Sequence, residues 1–414
     1  MSTPVAVSRS GSARAAGHAA VIEALRREGP TTRTELERMT GLGRKIISER
    51  VQELLDKSLV TEGELARSTG GRMPRRIGFR PEVGLVGVVE MNVHHVTLGL
   101  TDLGGQVLVL RQIDAEVSAG PAAAVELVAD GMIAVLEEVG HALDELWGIG
   151  VGVLAPVDRR RGSILPGRLF ARSAMAGWDG YPVRDRLHEL LGRSVWVDNE
   201  VNLMALGEVR SGRARGFSDV VFAKLGPSVG GGLVVGGRLQ HGKAAAGEIG
   251  HLVVPHDEPR PCWCGGRGCL DTFVNDTVLL AEAGGVHGSV AELSRSATAG
   301  DPGAVAVLRR AGSRVGAVLA DVVTLLDPSL LLVGGTLVDD DEIVLSAIKA
   351  AIADEGISVA AEGLLVEHSH LSDRAGLVGA AAMVVDELFS PAVLGVWLDD
   401  GRPVGRLDAL VRTR

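Results

Sequence analysis

Apolar residues recur at helical spacing over residues 19–28, where Val21, Ile22 and Leu25 share one face, and Gly29-Pro30 ends the run. Thr32 or Thr34 is placed to cap a second helix that turns Leu36 and Met39 inward and stops at Gly41. A third helix is predicted from about Gly43 to Lys57, with Leu42, Ile47, Val51 and Leu54 as its inner face. Leu59-Val60-Thr61 and Arg75 to Phe79, joined through Ser68-Thr69-Gly70-Gly71, read as a short β-hairpin. Three helices followed by a hairpin predict a small α+β head over residues 18–80, with residues 1–17 as a flexible arm.

Beyond Pro81 the pattern changes to strands and helices in alternation. Residues 85–90, 96–101 and 107–111 are apolar and β-branched, with a turn at Leu103-Gly104-Gly105-Gln106. An amphipathic helix is predicted over 125–139, buried strands over 148–153 and 195–197, and a helix over 202–210. The order then repeats: strands over 220–224 and 232–235, a long helix over 304–326, a buried strand over 330–333 and a closing helix over 376–388. Two β-rich starts, each followed by helix–strand alternation, predict a duplicated α/β body with a cleft between two lobes. The lobes are expected at 81–200, completed by the closing helix at 376–389, and at 201–375, leaving a C-terminal extension over 390–414.

Charge sharpens this division. Residues 1–80 hold 15 Lys and Arg against 9 Asp and Glu, whereas the whole chain carries a formal net charge of −10. A basic head on an acidic body predicts that only the head touches nucleic acid. Aromatic residues make up 3% of the chain, which disfavours stacking platforms for single strands. The first residues contain no apolar core of a signal peptide, and no run of about 18 apolar residues occurs, so a cytoplasmic protein without membrane contact is expected.

The outward positions of the third helix are Arg44, Lys45, Ile46, Ser48 and Glu49, at the place where a major-groove reader lies in a winged helix-turn-helix. Arg44 and Lys45 can donate to guanine or phosphate, and Ile46 can meet a thymine methyl. The wing residues Arg72, Arg75 and Arg76 suit phosphates or a narrow minor groove. Double-stranded operator DNA is the expected partner. The alternative is a small protein-contact domain whose arginines form a solvated face.

All three cysteines lie within Cys262-Trp263-Cys264-Gly265-Gly266-Arg267-Gly268-Cys269, a C-x-C-G-x-x-G-C run. Clustered cysteines in a cytoplasmic chain point to metal rather than disulfides. A structural zinc takes four ligands, and His251, in Gly247-Glu248-Ile249-Gly250-His251, is the best candidate for the fourth beside Cys262, Cys264 and Cys269.

The run from Gly41-Leu42-Gly43-Arg44 to Leu59-Val60, the segment Gly71-Arg72-Met73-Pro74, and a G-E-x-G-H segment followed by C-x-C-G-x-x-G-C together resemble the ROK family of repressors and sugar kinases. The resemblance extends from Gly84 to about Leu388. It implies an actin-like (ribonuclease H-like) two-lobed body with a structural Zn2+, carrying a winged helix-turn-helix head. It also implies a sugar pocket lined by Asn199, Glu200, Glu248, His251 and Asp271. Glu200 stands where the family has its catalytic Asp, and Asp271 where a Glu is usual. Trp178 matches a family Trp and is expected in the core.

The family's phosphate loops read D-x-G-G-T and G-T-G-x-G; here the corresponding stretches are Glu90-Met91-Asn92-Val93-His94 and Gly226-Pro227-Ser228-Val229-Gly230. Lost glycines and a proline without an N–H weaken any phosphate cradle. The expectation is therefore a sugar-responsive transcriptional repressor without kinase activity, working as a homodimer or homotetramer. A ligand-independent regulator with a decayed pocket and an active ATP-dependent sugar kinase are the alternatives.

Overall fold

A computed structural model describes residues 9–65, 75–166, 177–338, 342–403 and Leu407. The head begins with helix α1 (Arg9–Glu28), then β1 (Thr31–Thr32), α2 (Arg33–Thr40), α3 (Arg44–Asp56), β2 (Val60–Leu65) and β3 (Arg75–Phe79). Thr32 caps α2 in a reciprocal capping box with Glu35, and Gly41 ends it in the left-handed conformation. The hairpin β2–β3 is present, and β1 adds a third antiparallel strand in the order β1-β3-β2. The turn through Ser68–Gly71, and Arg72 with it, lies outside the described residues.

One boundary differs from expectation: residues 9–17 belong to α1 and not to a flexible arm. They are held because Ala15 and His18 are buried, and because Arg14 and His18 both reach Glu53 of α3, at 2.9 and 2.7 Å.

The body opens with β4 (Leu85–Met91), β5 (His95–Asp102), β6 (Val107–Asp114), α4 (Pro121–Glu138) and β7 (Leu146–Val153). The small strands β8 (Val157–Asp158) and β9 (Ser163–Ile164) pair with each other, and α5 (Val183–Leu191) leads to β10 (Val195–Asn199). These strands form a sheet in the order β10-β7-β4-β5-β6. After α6 (Glu200–Ser211) come β11 (Val220–Lys224), β12 (Gly230–Val235), β13 (Arg238–Gln240), α7 (Asp271–Val274), α8 (Asp276–Glu282), α9 (Val290–Thr298) and α10 (Pro302–Leu326). Next are β14 (Leu330–Gly334), α11 (Glu342–Glu355), α12 (Ser358–Ala361), β15 (Leu365–His368), α13 (Ala375–Leu388) and α14 (Pro391–Trp397). The second sheet has the order β13-β12-β11-β14-β15.

The two sheets repeat one topology. In each, three antiparallel strands are followed by two parallel ones, and the first strand is central: β4 pairs parallel with β7, and β11 with β14. Glu90 near the end of β4 faces Gly152 in register, as Lys224 at the end of β11 faces Gly334. The two lobes therefore present Glu90 and Lys224 at equivalent positions of the cleft.

Head and body share a hydrophobic core. Val21, Leu36, Ile47 and Leu54 of the head are continuous with Val88, Trp147, Val384 and Leu388 of the body. The joint is aromatic: Phe79 packs edge-on against Phe389 at 5.5 Å between centroids, and Trp397 lies 5.2 Å from Trp147 and 5.5 Å from Phe389. The described part of the C-terminal extension, residues 390–403, thus packs between head and body, with Gly395 against Ala15 and the Lys57 ammonium on the Asp399 carbonyl. No single helix among the described residues is long and apolar enough to cross a membrane.

Candidate functional site

The Gly-rich turns after β13 and before α7 bring His251, Cys262, Cys264 and Cys269 together, with their ligand atoms all within 4.8 Å of one another. Cys262 Sγ is 3.6 Å from His251 Nδ1, and Cys264 Sγ is 3.6 Å from Cys269 Sγ. A tetrahedral zinc with Zn–S bonds of about 2.3 Å has edges of roughly 3.7 Å, so the quartet fits that ion. Gly265 and Gly268 hold φ of +90° and +75°, the left-handed turns that wrap the three thiols inward.

Burial pushes the Cys262 thiol up to about 12, and a cation among the sulfurs reverses that by stabilising the thiolates. His251 turns its Nε2 toward Glu248, 3.8 Å from Oε2, and its ring rests edge-on against Trp263. One imidazole therefore joins the three cysteines to the cleft, and burial lowers its pKa toward the neutral form that metals bind.

The cleft floor is built by the ends of β4, β10 and β11. Asn199 caps α6, accepting from the Val201 N–H at 2.8 Å and the Asn202 N–H at 3.4 Å, while its amide donates to the Ala155 carbonyl. Much of its capacity is thus committed to the turn. Glu200, in the first turn of α6, is 2% exposed and accepts from Lys224 Nζ at 2.5 Å. Glu90 lies against Gly376 of α13 and accepts from the Asn92 amide. Burial, then the negative charge of Glu200, raises its pKa to about 7. Burial, with Asp271 and Glu200 adding negative charge, likewise raises Glu248 to about 7. Asp271 is buried and accepts from the Val229 N–H at 2.9 Å, and burial raises its pKa.

Beside this floor, Asp198 is fully engaged. His241 Nε2 reaches it at 2.8 Å, Arg159 Nε at 3.1 Å and the Asn202 amide at 3.0 Å. Burial opposes its charge, but these partners outweigh it and hold the carboxyl below its ordinary range. Arg159 also reaches Glu387 of α13 at 3.5 Å.

Lys224, Asp198, Arg159 and His241 are absent from the residues singled out on the sequence, and Glu90 was named there only as the start of the altered phosphate loop. The one visible signal was a lysine closing the apolar strand Val220-Val221-Phe222-Ala223. Part of the phosphate-loop backbone is engaged: the N–H groups of Asn92 and Val229 donate to the His95 carbonyl and the Asp271 carboxylate. Trp178 is wholly buried, its indole donating to the Val117 carbonyl, as a core residue.

On the head, Arg44, Lys45, Ile46, Ser48 and Glu49 are all exposed on one side of α3, while Ile47 and Val51 are buried on the other. Arg75 is exposed, and Arg76 is exposed but donates to the Pro30 carbonyl at 2.9 Å.

The ROK family model matches residues 86–387. The xylose repressor of Caldicellulosiruptor bescii is 25% identical over 377 residues, covering 87% of this chain and 92% of that protein. The glucokinase of Streptomyces coelicolor is 29% identical over 328 residues, 72% of this chain and 97% of the kinase. Among solved structures, that of a ROK family transcriptional regulator, a homologue of the Escherichia coli Mlc protein, has a TM-score of 0.81 at 21% identity, over 94% of this chain and 100% of that one. This last likeness extends the shared fold to head and body together.

Proposed function

The chain belongs to the ROK family, and from that premise we propose that it is a DNA-binding transcriptional repressor whose hold on operator DNA is set by a sugar or sugar derivative in the cleft, without kinase activity. The observation that carries this reading is the buried pair Glu200–Lys224: the carboxylate at the position of a kinase base is already held by an internal cation. A general base must reach the substrate hydroxyl within hydrogen-bond distance, and one of the two Glu200 oxygens is already committed to Lys224. Pro227, which has no N–H, and the Val229 N–H, turned to Asp271, weaken a cradle for a nucleotide phosphate.

The sugar-facing groups in this reading are Asn199, Glu200, Glu248, His251 and Asp271. His251 with Cys262, Cys264 and Cys269 would hold a zinc, which fixes the loop and, through the imidazole, the wall beside Glu248. On the head, Arg44, Lys45, Ile46, Ser48 and Glu49 would enter the major groove, with Arg72, Arg75 and Arg76 at the wing. Two heads on a palindromic operator require at least a homodimer.

The repressor relative is named for xylose and spans most of this chain, which supports the sensor reading over the kinase one. Fluorescence anisotropy of the full-length protein on DNA from upstream of its own gene, titrated with a sugar panel at fixed salt, tests it. Release of specific binding by one sugar is expected. Specific binding that no sugar alters would favour a ligand-independent regulator, and ATP-dependent phosphorylation of a hexose would overturn the reading altogether.

A further inference from the structure

Trp263, between Cys262 and Cys264 in the chain, touches both sides of the cleft. Its loop is anchored in the second lobe, where Ile249, Val254 and Leu270 enter the same core as Val221 of β11 and Leu331 of β14. The Trp263 ring meets the His251 ring edge-on at 4.5 Å between centroids, and its indole N–H donates to the Asp271 carboxyl. The same side chain packs on the apolar core of the first lobe, whose buried members all lie between Leu85 and Val197. Two backbone hydrogen bonds close the turn that carries it, from the Cys262 N–H to the Gly266 carbonyl at 2.9 Å and from the Gly265 N–H to the Cys262 carbonyl at 3.1 Å.

We propose that Trp263 is an interlobe latch set by the metal site: with Cys262 and Cys264 ligated the indole is held against the first lobe, and with the metal removed the latch is released. The proposal rests on the reading of His251, Cys262, Cys264 and Cys269 as a zinc site, and it makes metal occupancy a second input to the cleft.

Both chain neighbours of Trp263 are ligands in that reading, so ligation fixes the backbone from which the indole projects. Metal binding by such a loop is also its folding, and metal loss returns the turn to its hydrogen bonds alone. Once the backbone is set, a tryptophan offers a large apolar contact for the ordering of only two side-chain torsions. The lobes have another crossing that needs no metal: His241, from the second lobe, reaches Asp198 of the first at 2.8 Å. Release of Trp263 therefore loosens the cleft without parting the lobes.

The test is hydrogen–deuterium exchange of the full-length protein, metal-loaded and after stripping with excess chelator, in the parent, Trp263→Ala and Trp263→Phe, with metal content followed by elemental analysis. Stripping is expected to speed exchange of residues 252–270 in all three proteins. In the parent and in Trp263→Phe, which keeps an aromatic ring, it is also expected to speed exchange in first-lobe peptides, by about three- to tenfold for the loss of one half-buried aromatic contact. Trp263→Ala should show that faster first-lobe exchange while still loaded, with no further rise on stripping. Should Trp263→Ala fold poorly, the difference in fluorescence between the parent and Trp263→Phe isolates the Trp263 emission, which is expected to shift to the red on stripping. A first lobe that stripping leaves unchanged in the parent, or loosens equally in Trp263→Ala, overturns the latch and leaves the metal site standing, as does an unshifted Trp263 emission. A protein that carries no metal, or a loop that stripping does not loosen, overturns the metal site and the latch together. Neither result touches the sugar-sensor reading, since no sugar or DNA is present.

Discussion

Replacing Lys224 by Met removes the cation paired with Glu200 on the cleft floor while keeping the length of the side chain. Glu200 then stays 2% exposed, with its former partner, 2.5 Å away, gone and Glu90 and Glu248 adding like charge. Breaking a buried pair by removing one partner typically destabilises by about 3–5 kcal/mol. The lost charge can be compensated by a proton. For a carboxyl with an ordinary pKa near 4.3, protonation costs about 4 kcal/mol at pH 7.5 but only about 1 kcal/mol at pH 5. The loss in Lys224→Met should therefore be about 3–5 kcal/mol at pH 7.5 and shrink to about 1–2 kcal/mol at pH 5. The double variant Glu200→Gln/Lys224→Met, which leaves no charge to strand, should regain most of the loss at pH 7.5. Urea unfolding of the full-length protein, followed by Trp fluorescence at both pH values, reads this directly. A Lys224→Met protein within about 1 kcal/mol of the parent at pH 7.5, or equally weakened at both pH values, would refute the claim that the pair is buried and interdependent.

Purified protein is expected to carry one zinc per chain by elemental analysis, and Cys264→Ser to lower that content together with thermal stability; a ligand a thousandfold above its Kd contributes about 4 kcal/mol. Full stability after exhaustive chelation would contradict the quartet as a structural site. Glu90, with its pKa raised from 4.5 to about 7, holds a proton in the folded state that the unfolded chain releases. Its contribution is complete below about pH 4.5 and is lost as pH rises through 7, by up to about 3 kcal/mol before allowance for partial exposure. Glu90→Gln should flatten stability between pH 5 and 7.5, and an unchanged slope would exclude Glu90 as its source. Arg210→Met cuts the ion pairs to Asp386 and to Glu23 of α1. DNA affinity without sugar should hold within about threefold, while the sugar-induced drop in affinity shrinks, by anisotropy; an undiminished response would exclude this contact from the coupling.

Much of the head was legible because its punctuation is local. Gly29-Pro30, Thr32 and Gly41 fix where helices stop and start whatever the rest of the chain does. The cysteine run was legible for the same reason, since three of its four side chains lie within eight residues. The contacts that set the cleft's electrostatics are long-range. Nothing near Lys224 in sequence reveals that its ammonium lands on Glu200, because the contact depends on how β11 meets the first turn of α6. Residues 9–17 read as a flexible arm because what holds them lies far off in sequence, Glu53 of α3 for Arg14 and Gly395 for Ala15. Asn199 was read as a sugar ligand from family resemblance, and the structure adds that its carbonyl oxygen is already a helix cap.

Helix α6 links the two ends of the proposed mechanism. Its cap and first turn are Asn199, Glu200 and Asn202, on the cleft floor, and its last turn places Arg210 3.3 Å from Glu23 of the head. Twelve residues span about 18 Å, so a displacement at one end is carried to the other rather than absorbed. The crossing with α13 is also stiff: a Cβ on Gly207 would lie 2.2 Å from the Ala375 carbonyl oxygen, and one on Gly379 1.8 Å from that of Leu203. Beside Arg210, between α1 and the body, lies a cavity of about 1090 Å³ lined by Arg26, Pro30, Phe79, Leu103 and Phe217 among others. Coupling of about 1–3 kcal/mol is ordinary for such regulators, whereas a half-exposed ion pair contributes about 0–1 kcal/mol. Arg210 and its neighbours therefore cannot carry the whole effect. The proposed mechanism therefore assigns the remainder to the aromatic joint of Phe79, Phe389, Trp147 and Trp397, where head, body and the described part of the C-terminal extension share one core.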